Sequence, residues 1–188
     1  MAQTQIRIGG FGGQGVILSG IIIGRAAAIH AGLNATLVQS FGPEARGSSS
    51  SAELIVSDEP IWYPYVRDLD MLVVLSQDAY KRFTPALRPG GLLVTEADLV
   101  KLDGPPAGLR HFVVPATRLA EEIGRKIVLN IITVGFFGAV SQLMPLEALE
   151  RAVKESVPSG TLELNLGAFR KGWEAGQDAL RVAFSGGV

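Results

Sequence analysis

The chain has 188 residues, of which 17 are Lys or Arg, 18 are Asp or Glu and none is Cys. This length is typical of one domain whose core needs no disulfide or metal, and the balanced, scattered charges argue against a nucleic-acid-binding surface. The lack of cysteine excludes disulfides, thiolate catalysis, zinc ribbons and cysteine-ligated iron–sulfur clusters within the chain, so any redox centre that serves the protein must lie on another chain or be a non-covalent organic cofactor.

The first part of the chain has the pattern of a βαβ unit. Residues 5–10 (QIRIGG) predict a central strand, residues 16–31 predict a helix that ends at Gly32, and residues 35–39 (ATLVQ) predict a second buried strand. The crossover between these strands should be right-handed. Residues 40–51 (SFGPEARGSSSS) are rich in Pro, Gly and Ser and therefore predict a loop.

The rest of the chain continues with strands and then changes to helices. Further strands are predicted at residues 52–57, 69–76, 91–95 and 111–114, and helices at residues 77–87, 116–124, 128–144, 145–156 and 162–180. Because the strands are apolar runs rather than alternating patterns, they predict a mostly parallel sheet covered on both faces. The expected fold class is α/β: a single domain over residues 1–188 with a Rossmann-like, doubly wound sheet, a helical C-terminal part and a flexible tail at 184–188.

The apolar segments do not predict membrane insertion. The most apolar stretch, residues 127–144, contains Asn130 and Thr133 and is short for a bilayer span, which favours a buried helix. Residues 1–4 lack the basic and apolar regions of a signal peptide. We therefore expect a cytoplasmic protein, and its high apolar content (47% of residues) indicates that part of its surface faces a partner.

Residues 10–15 (GFGGQG) fit the pattern G-x-G-x-x-G between a strand and a helix. Glycines at these positions allow a tight turn, and the helix N-terminus offers free N–H groups to an anion. The candidate ligand-binding residues here are Gly12, Gly13, Gln14 and Gly15. A dinucleotide site also needs a carboxylate at the end of the second strand, where this chain has Gln39. Three alternatives stay open: a dinucleotide or phosphate site, a structural turn, and a contact with a partner subunit or its ligand.

A second candidate segment follows the second strand at its carboxyl end, the edge of an α/β sheet where ligands bind. Its candidate residues are Glu44, Arg46, Gly47, Ser48 and Ser49. Glu44 and Arg46 either form an ion pair that only shapes the loop, or Arg46 binds an anionic group. The serines either belong to a plain loop or donate hydroxyl hydrogen bonds to a phosphate or carboxylate.

The remaining polar residues give weaker signals. Asn130 opens an apolar helix, where an N-cap is the usual role of Asn; alternatively it faces the same crevice, and it is kept as a candidate binding residue. His30 and His111 have no nearby nucleophile in the sequence. The sequence shows no Ser/His/Asp pattern, Walker A lysine, metal-ligand cluster or G-D-G motif for thiamine diphosphate, so no self-sufficient active site is predicted.

Two loops together resemble a known family. The segments GFGGQGV (residues 10–16) and FGPEARG (residues 41–47) are similar to the two hallmark loops of the γ subunits of 2-oxoacid:ferredoxin and 2-oxoacid:acceptor oxidoreductases. Weaker similarities follow in the same order at residues 52–60, 114–117 and 130–135, so the resemblance extends from about residue 5 to about residue 178. Gly47-Ser48-Ser49 departs from the Gly-Gly that often follows the Arg in the family.

The resemblance implies a multi-subunit enzyme that oxidatively decarboxylates a 2-oxo acid to an acyl-coenzyme A. It implies that this chain binds no cofactor alone and borders a shared coenzyme A crevice, while thiamine diphosphate, magnesium and iron–sulfur clusters lie on partner subunits. The implied partners are the α, β and ferredoxin-like δ subunits, with a flavin subunit in some complexes and electrons passing to ferredoxin or NAD; neither nucleic acid nor membrane is implied. Two rival hypotheses remain: a free-standing Rossmann oxidoreductase that uses NAD or flavin, and a purely structural assembly subunit.

Overall fold

The structure is a computed structural model that describes residues 3–42, 49–102, 104 and 106–185. The strands are β1 (Thr4–Phe11), β2 (Asn34–Phe41), β3 (Ser49–Ser57), β4 (Leu69–Val74), β5 (Leu87–Glu96) and β6 (Arg110–Val114). The helices are α1 (Val16–Arg25), α2 (Gln77–Phe83), α3 (Ala116–Ile123), α4 (Leu129–Ser141), α5 (Leu146–Ser156) and α6 (Leu162–Ser185). A π-helical turn, Ala26–His30, continues α1, and 3₁₀ turns cover Thr84–Ala86, Lys126–Val128 and Ser159–Thr161.

The strands form one sheet in the order β2-β3-β1-β4-β5-β6. Neighbouring strands from β1 through β4 and β5 to β6 are parallel, whereas β3 is antiparallel to both β1 and β2. The predicted α/β fold with a mostly parallel sheet and a helical C-terminal part is therefore confirmed. The connection from β1 through α1 to β2 passes over β3, which makes β2 an edge strand.

Both faces of the sheet carry helices, as the apolar strands predicted. On the larger face, Ile6 and Ile8 of β1 and Leu54 of β3 are at most 1% exposed and belong to a core that includes residues of α1, α3, α4, α5 and α6. On the other face, Leu72 of β4 packs with Phe83 of α2 in a smaller cluster. At the carboxyl ends of the parallel strands, Phe11 of β1 is 38% exposed, whereas the last residues of β4, β5 and β6 are buried.

Four expectations differ from the structure. The second strand is not buried, because β2 lies at the sheet edge and each of its residues is partly or fully exposed. The predicted loop at residues 40–51 is shorter, since antiparallel pairing down to Phe41 and Ser50 draws its ends into β2 and β3. Residues 87–91 belong to β5 rather than to the end of a helix. In the predicted tail, residues 184 and 185 are helical, and residues 186–188 lie outside the described residues.

Helix α4 is the buried helix that the most apolar stretch predicted. Every residue from Asn130 to Val140 is buried, because α1, α3, α5 and α6 surround the helix. The contact with α6 is backbone to backbone. A methyl group on Gly172 of α6 would overlap the carbonyl oxygen of Ile132, and one on Gly135 of α4 would overlap that of Phe169. None of the described helices is both long enough and apolar enough to cross a membrane.

Candidate functional site

The glycine turn, the end of the β2–β3 hairpin and the start of α4 meet near the carboxyl end of β1. β1 ends at Phe11 and β2 ends at Phe41, and their partner β3 begins between them at Ser49. This edge is where open α/β sheets bind their ligands. The structure therefore brings the described parts of both predicted loops to one place.

The side chain of Gln14 holds the glycine turn in shape. Its Oε1 accepts a hydrogen bond of 2.6 Å from the backbone N–H of Phe11, and its Nε2 donates one of 2.8 Å to the carbonyl of Leu75, just after β4. The turn also requires positive φ angles, 93° at Gly13 and 72° at Gly15, which favour glycine. Gln14 thus fixes the turn to the end of β4, and both polar atoms of its amide are already engaged.

Helix α1 begins with free backbone donors. The N–H groups of Val16, Ile17 and Leu18 have no acceptor among the described residues, and the first amide that bonds within the helix is that of Ser19, 2.9 Å from the carbonyl of Gly15. The N-cap Gly15 supplies no side-chain acceptor, and the first turn carries no acidic residue. Unpaired N–H groups and the helix dipole make this N-terminus favourable to an anion.

A cavity of about 290 Å³ opens beside this helix terminus. Its lining consists of Gly12, Gly13, Gly15, Val16, Ile17, Leu18, Phe41 and Ser50. Phe41 is 66% exposed, whereas Ser50 is only 7% exposed. The Ser50 hydroxyl makes no hydrogen bond to any residue that the structure describes. The crevice thus joins helix donors, a serine hydroxyl and an exposed aromatic ring.

Ser50 rather than Ser49 reaches this cavity. Successive side chains of a strand point to opposite faces, and Ser50 shares the α1-facing side of β3 with the core residues Ala52 and Leu54. Ser49 lies on the other face, where its hydroxyl is 3.3 Å from the guanidinium of Arg82. The sequence prediction missed Ser50. The alternation of side chains along β3 could have identified it, because Ser50 is two and four residues before the apolar Ala52 and Leu54 and therefore lies on their face.

The central part of the second loop, residues 43–48, lies outside the described residues. The predictions for Glu44, Arg46, Gly47 and Ser48 therefore stay predictions. The described ends of this segment are held together, because the N–H of Gly42 donates a hydrogen bond of 2.8 Å to the carbonyl of Ser49.

Asn130 contacts the glycine turn directly. It lies in the first turn of α4, is 4% exposed, and its carboxamide packs against Gly15. The predicted N-cap role is wrong, since the residue at the N-cap is Val128. The carboxamide makes no hydrogen bond to a described residue and borders a second cavity of about 200 Å³, which Leu18 also lines. The structure thus brings Asn130 together with the glycine turn.

The described residues offer binding groups but no evident catalytic set. No cluster of three or more His, Asp or Glu side chains in the described ranges could hold a metal ion. Burial lowers the pKa of His111, whose Nε2 lies 2.9 Å from the Thr95 hydroxyl. His30 lies 3.3 Å from Glu155 at the far end of the π-helical turn. The buried carboxylate of Glu96 accepts three backbone N–H groups, from Asp98, Leu99 and Thr117, which is a structural role.

The chain matches the family model of pyruvate ferredoxin/flavodoxin oxidoreductase over residues 5–175. Its sequence is 44% identical to the 2-oxoglutarate synthase subunit KorC of Methanocaldococcus jannaschii over 178 residues, which cover 94% of this chain and 95% of the relative. The corresponding subunit of Methanothermobacter marburgensis is also 44% identical, over 92% of this chain and 96% of that one.

Solved structures share the fold. The γ subunit of a keto/oxoacid ferredoxin oxidoreductase from Geobacter sulfurreducens superposes with a TM-score of 0.84 at 36% identity, covering 95% of this chain and 99% of that chain. The 2-oxoglutarate:ferredoxin oxidoreductase of Magnetococcus marinus, solved with 2-oxoglutarate, coenzyme A and succinyl-CoA bound, gives a TM-score of 0.84 at 23% identity. That match covers 94% of this chain but 31% of the other, and it shows the fold alone.

Proposed function

The chain belongs to the pyruvate ferredoxin/flavodoxin oxidoreductase family as a γ subunit, and we propose that it forms one wall of a coenzyme A crevice in an assembled 2-oxoacid:acceptor oxidoreductase. In this proposal, thiamine diphosphate, magnesium and the iron–sulfur clusters belong to α, β and ferredoxin-like δ subunits. The complex converts a 2-oxo acid and coenzyme A to an acyl-coenzyme A and carbon dioxide, and two electrons pass to ferredoxin, or through a flavin subunit to NAD.

One observation carries this proposal: the free N–H groups at the start of α1 face a crevice that is also lined by Phe41 and Ser50, which belong to the two strands that the segment with Arg46 connects in the sequence. Coenzyme A carries several phosphates, and both helix N-termini and guanidinium groups suit phosphate oxygens. The described residues that line the crevice supply donors but no base that could activate the Ser50 hydroxyl as a nucleophile. They therefore suit binding and orientation of a ligand whose reacting atoms lie on a sister subunit.

The most similar relatives reported above also favour a substrate. Both are subunits of 2-oxoglutarate synthases and match almost the whole chain, so we propose 2-oxoglutarate as the 2-oxo acid of the complex. The purified complex, assayed with 2-oxoglutarate, pyruvate and branched 2-oxo acids, tests this assignment. A higher kcat/KM for any acid other than 2-oxoglutarate would contradict it.

The coenzyme A role is tested by Arg46→Ala in the assembled complex. Loss of one charge-assisted phosphate contact should weaken the binding free energy of coenzyme A by about 1.5–3 kcal/mol. We therefore expect the KM for coenzyme A to rise about ten- to a hundredfold, while the KM for the 2-oxo acid changes little. Arg151→Ala is the matched control, because Arg151 lies on α5, which packs against the opposite end of α1.

Glu44→Gln separates the proposal from its alternative. If Arg46 only pairs with Glu44 to shape the loop, the two variants should have the same defect. An unchanged KM for coenzyme A in Arg46→Ala would leave Arg46 as a loop or interface residue, as expected of a purely structural subunit.

A further inference from the structure

We propose that two copies of this chain pair with each other along the open edge of β2, so that their six-stranded sheets join into one continuous sheet. The two β2 strands run antiparallel and are related by a twofold axis that passes through Val38. This interface goes beyond the proposed function and does not depend on the coenzyme A role.

The outer edge of β2 carries no protection against strand pairing. β2 is the last strand on its side of the sheet, and no described strand pairs with its outer edge. Its eight residues, NATLVQSF, include no charged residue and no Pro, and its pairing with β3 continues without a bulge. Soluble proteins usually block an edge strand with charges, Pro, bulges or a covering element. β2 has none of the first three, which indicates that its edge pairs with another strand.

The hairpin shows which backbone groups of β2 point to the open edge. The N–H of Gly42 donates a hydrogen bond of 2.8 Å to the carbonyl of Ser49. In an antiparallel ladder, such hydrogen-bonded pairs alternate with pairs whose N–H and C=O groups point away from the partner strand. The odd-numbered residues of β2 therefore direct both groups to the open edge, and these residues are Ala35, Leu37, Gln39 and Phe41.

A second copy of β2 can satisfy all of these outward groups. Residues opposite each other in an antiparallel pair have side chains on the same face, so two identical strands pair odd-numbered residues with odd-numbered ones. With the twofold axis at Val38, Ala35 pairs with Phe41 of the other copy and Leu37 pairs with Gln39. A shift of the axis by one residue would leave the outward groups of Ala35 or of Phe41 without a partner in β2.

The side chains are complementary in this register. Phe41 is 66% exposed and faces α1, since it lies opposite Ser50 of β3. A mostly apolar groove of about 170 Å³ lies between α1 and the first half of β2, and its lining consists of Ile21, Gly24, Arg25, Ala35, Thr36 and Leu37. Because Phe41 of one copy is opposite Ala35 of the other, its ring lies at this groove. The symmetry fills both grooves in the same way, which favours a second copy over a different protein.

The charges of the edge also permit pairing of two copies. A symmetric interface brings identical surfaces together, and like charges directly opposite each other in a sheet are destabilising. β2 has no charged residue. Arg25 is the one charged residue of the groove lining, and its guanidinium donates a hydrogen bond of 2.8 Å to the carbonyl of Glu155 on α5. Two copies can therefore meet along β2 without opposing like charges.

Single cysteines test the register, because the chain has no cysteine of its own. Val38 would lie opposite Val38 of the other copy in a pair without hydrogen bonds, where the two Cα atoms are about 4.5 Å apart, a distance that a disulfide can span. The full chain with Val38→Cys is oxidised, alone and in the assembled complex, and we expect a disulfide-linked dimer of this chain. Ser40→Cys is the matched control. Ser40 lies opposite Thr36 in this register, so Ser40→Cys should cross-link to Thr36→Cys but not to itself.

The mass of the full chain in solution, measured by sedimentation velocity, tests the interface itself. We expect the wild type to form a dimer. Gln39→Pro removes an N–H that points to the open edge and no bond to β3, so it should yield a monomer, whereas Gln39→Ala should dimerise like the wild type. Phe41→Ala should raise the Kd of the dimer about a hundredfold or more, because each dimer loses two buried rings.

Three results would overturn the inference. The first is a wild type that stays monomeric up to its solubility limit. The second is a dimer that neither Gln39→Pro nor Phe41→Ala weakens, since its interface would then lie elsewhere. The third is a Val38→Cys chain that does not cross-link to its own copy, alone or in the complex, as expected if the edge pairs with a sister subunit. If circular dichroism shows that Gln39→Pro does not fold, Phe41→Ala and Val38→Cys decide the question.

Discussion

A methyl group on Gly15 would lie 2.5 Å from the carboxamide carbon and nitrogen of Asn130, so these two residues are in direct contact. Gly15 ends the glycine turn with a φ of 72°, and Asn130 lies in the first turn of α4, more than a hundred residues later in the chain. The contact fixes the start of α4 to the start of α1. Glycine is required at position 15 for two separate reasons, the backbone angle and the lack of space.

The double role of Gly15 predicts a measurable coupling with Asn130. Gly15→Ala should lower the free energy of unfolding through both the left-handed backbone, worth about 1–2 kcal/mol, and the overlap with the carboxamide. In an Asn130→Ala background only the backbone cost should remain, so the same substitution should be less damaging. Urea unfolding of the four proteins gives the coupling energy, and additive effects would contradict the contact.

The close packing of α4 and α6 predicts opposite effects for two glycines of one helix. Gly172→Ala should destabilise the protein by about 1–3 kcal/mol or more, because the methyl group meets the Ile132 carbonyl. Gly167→Ala, at an exposed position of α6 with open space around it, should instead stabilise by roughly 0.5–1 kcal/mol through helix propensity. Thermal or urea unfolding measures both; changes of the same sign would show that the helices do not pack as described.

The sheet order predicts that the glycine turn does not bind NAD. In a Rossmann site the second strand lies next to the first, and its terminal carboxylate bonds the ribose. Here β3 separates β2 from β1, and the last three residues of β2, Gln39 to Phe41, include no carboxylate. We therefore expect no NAD binding to the full chain by calorimetry, and Gln39→Asp should not create it. Micromolar NAD binding that Gly12→Val abolishes would contradict this.

The lowered pKa of His111 predicts a loss of stability in acid. Because burial lowers the pKa of His111 in the folded protein, the unfolded chain takes up the proton first as the pH falls below about 6.5, the ordinary pKa of histidine. The contribution of His111 should therefore decrease from there through its folded pKa and then level off. Between pH 7.5 and pH 5, the free energy of unfolding measured in urea should decrease less for His111→Gln than for the wild type. An equal decrease in the two proteins would show that other groups cause the loss of stability.

The sequence predicts which segments form strands and helices, but not the direction of every strand. Short apolar runs bounded by Gly and Pro located all six strands, and the two loops at residues 10–15 and 41–47 predicted the family. The run of serines at residues 48–51 has a loop-like composition, yet Ser49, Ser50 and Ser51 are in β3 because β1 and β2 pair with them on both sides. Pairing of this kind depends on partners elsewhere in the chain, and local composition does not encode it.

The candidate site was predictable only in part, for a related reason. Gly12, Gly13 and Gly15 follow from a local motif, and the structure places them at the cavity. Strand register decides whether Ser50 or Ser49 faces the cavity, because a shift of one residue exchanges the two faces of the strand. The position of Asn130 depends on how α4 packs across α1. Register and helix packing are properties of the whole fold.

The hydrogen bond from Gly42 to Ser49 marks the boundary between the paired strands β2 and β3 and the segment that connects them. Pairing of β2 with β3 ends at Phe41 and Ser50, so residues inserted or removed between positions 42 and 49 leave every strand in register, and loops tolerate such changes well. An insertion in the glycine turn would instead displace α1 and, through Gly15 and Asn130, α4 as well. The segment between β2 and β3 is therefore the part of this subunit whose length and sequence can change while the packed helices stay unchanged.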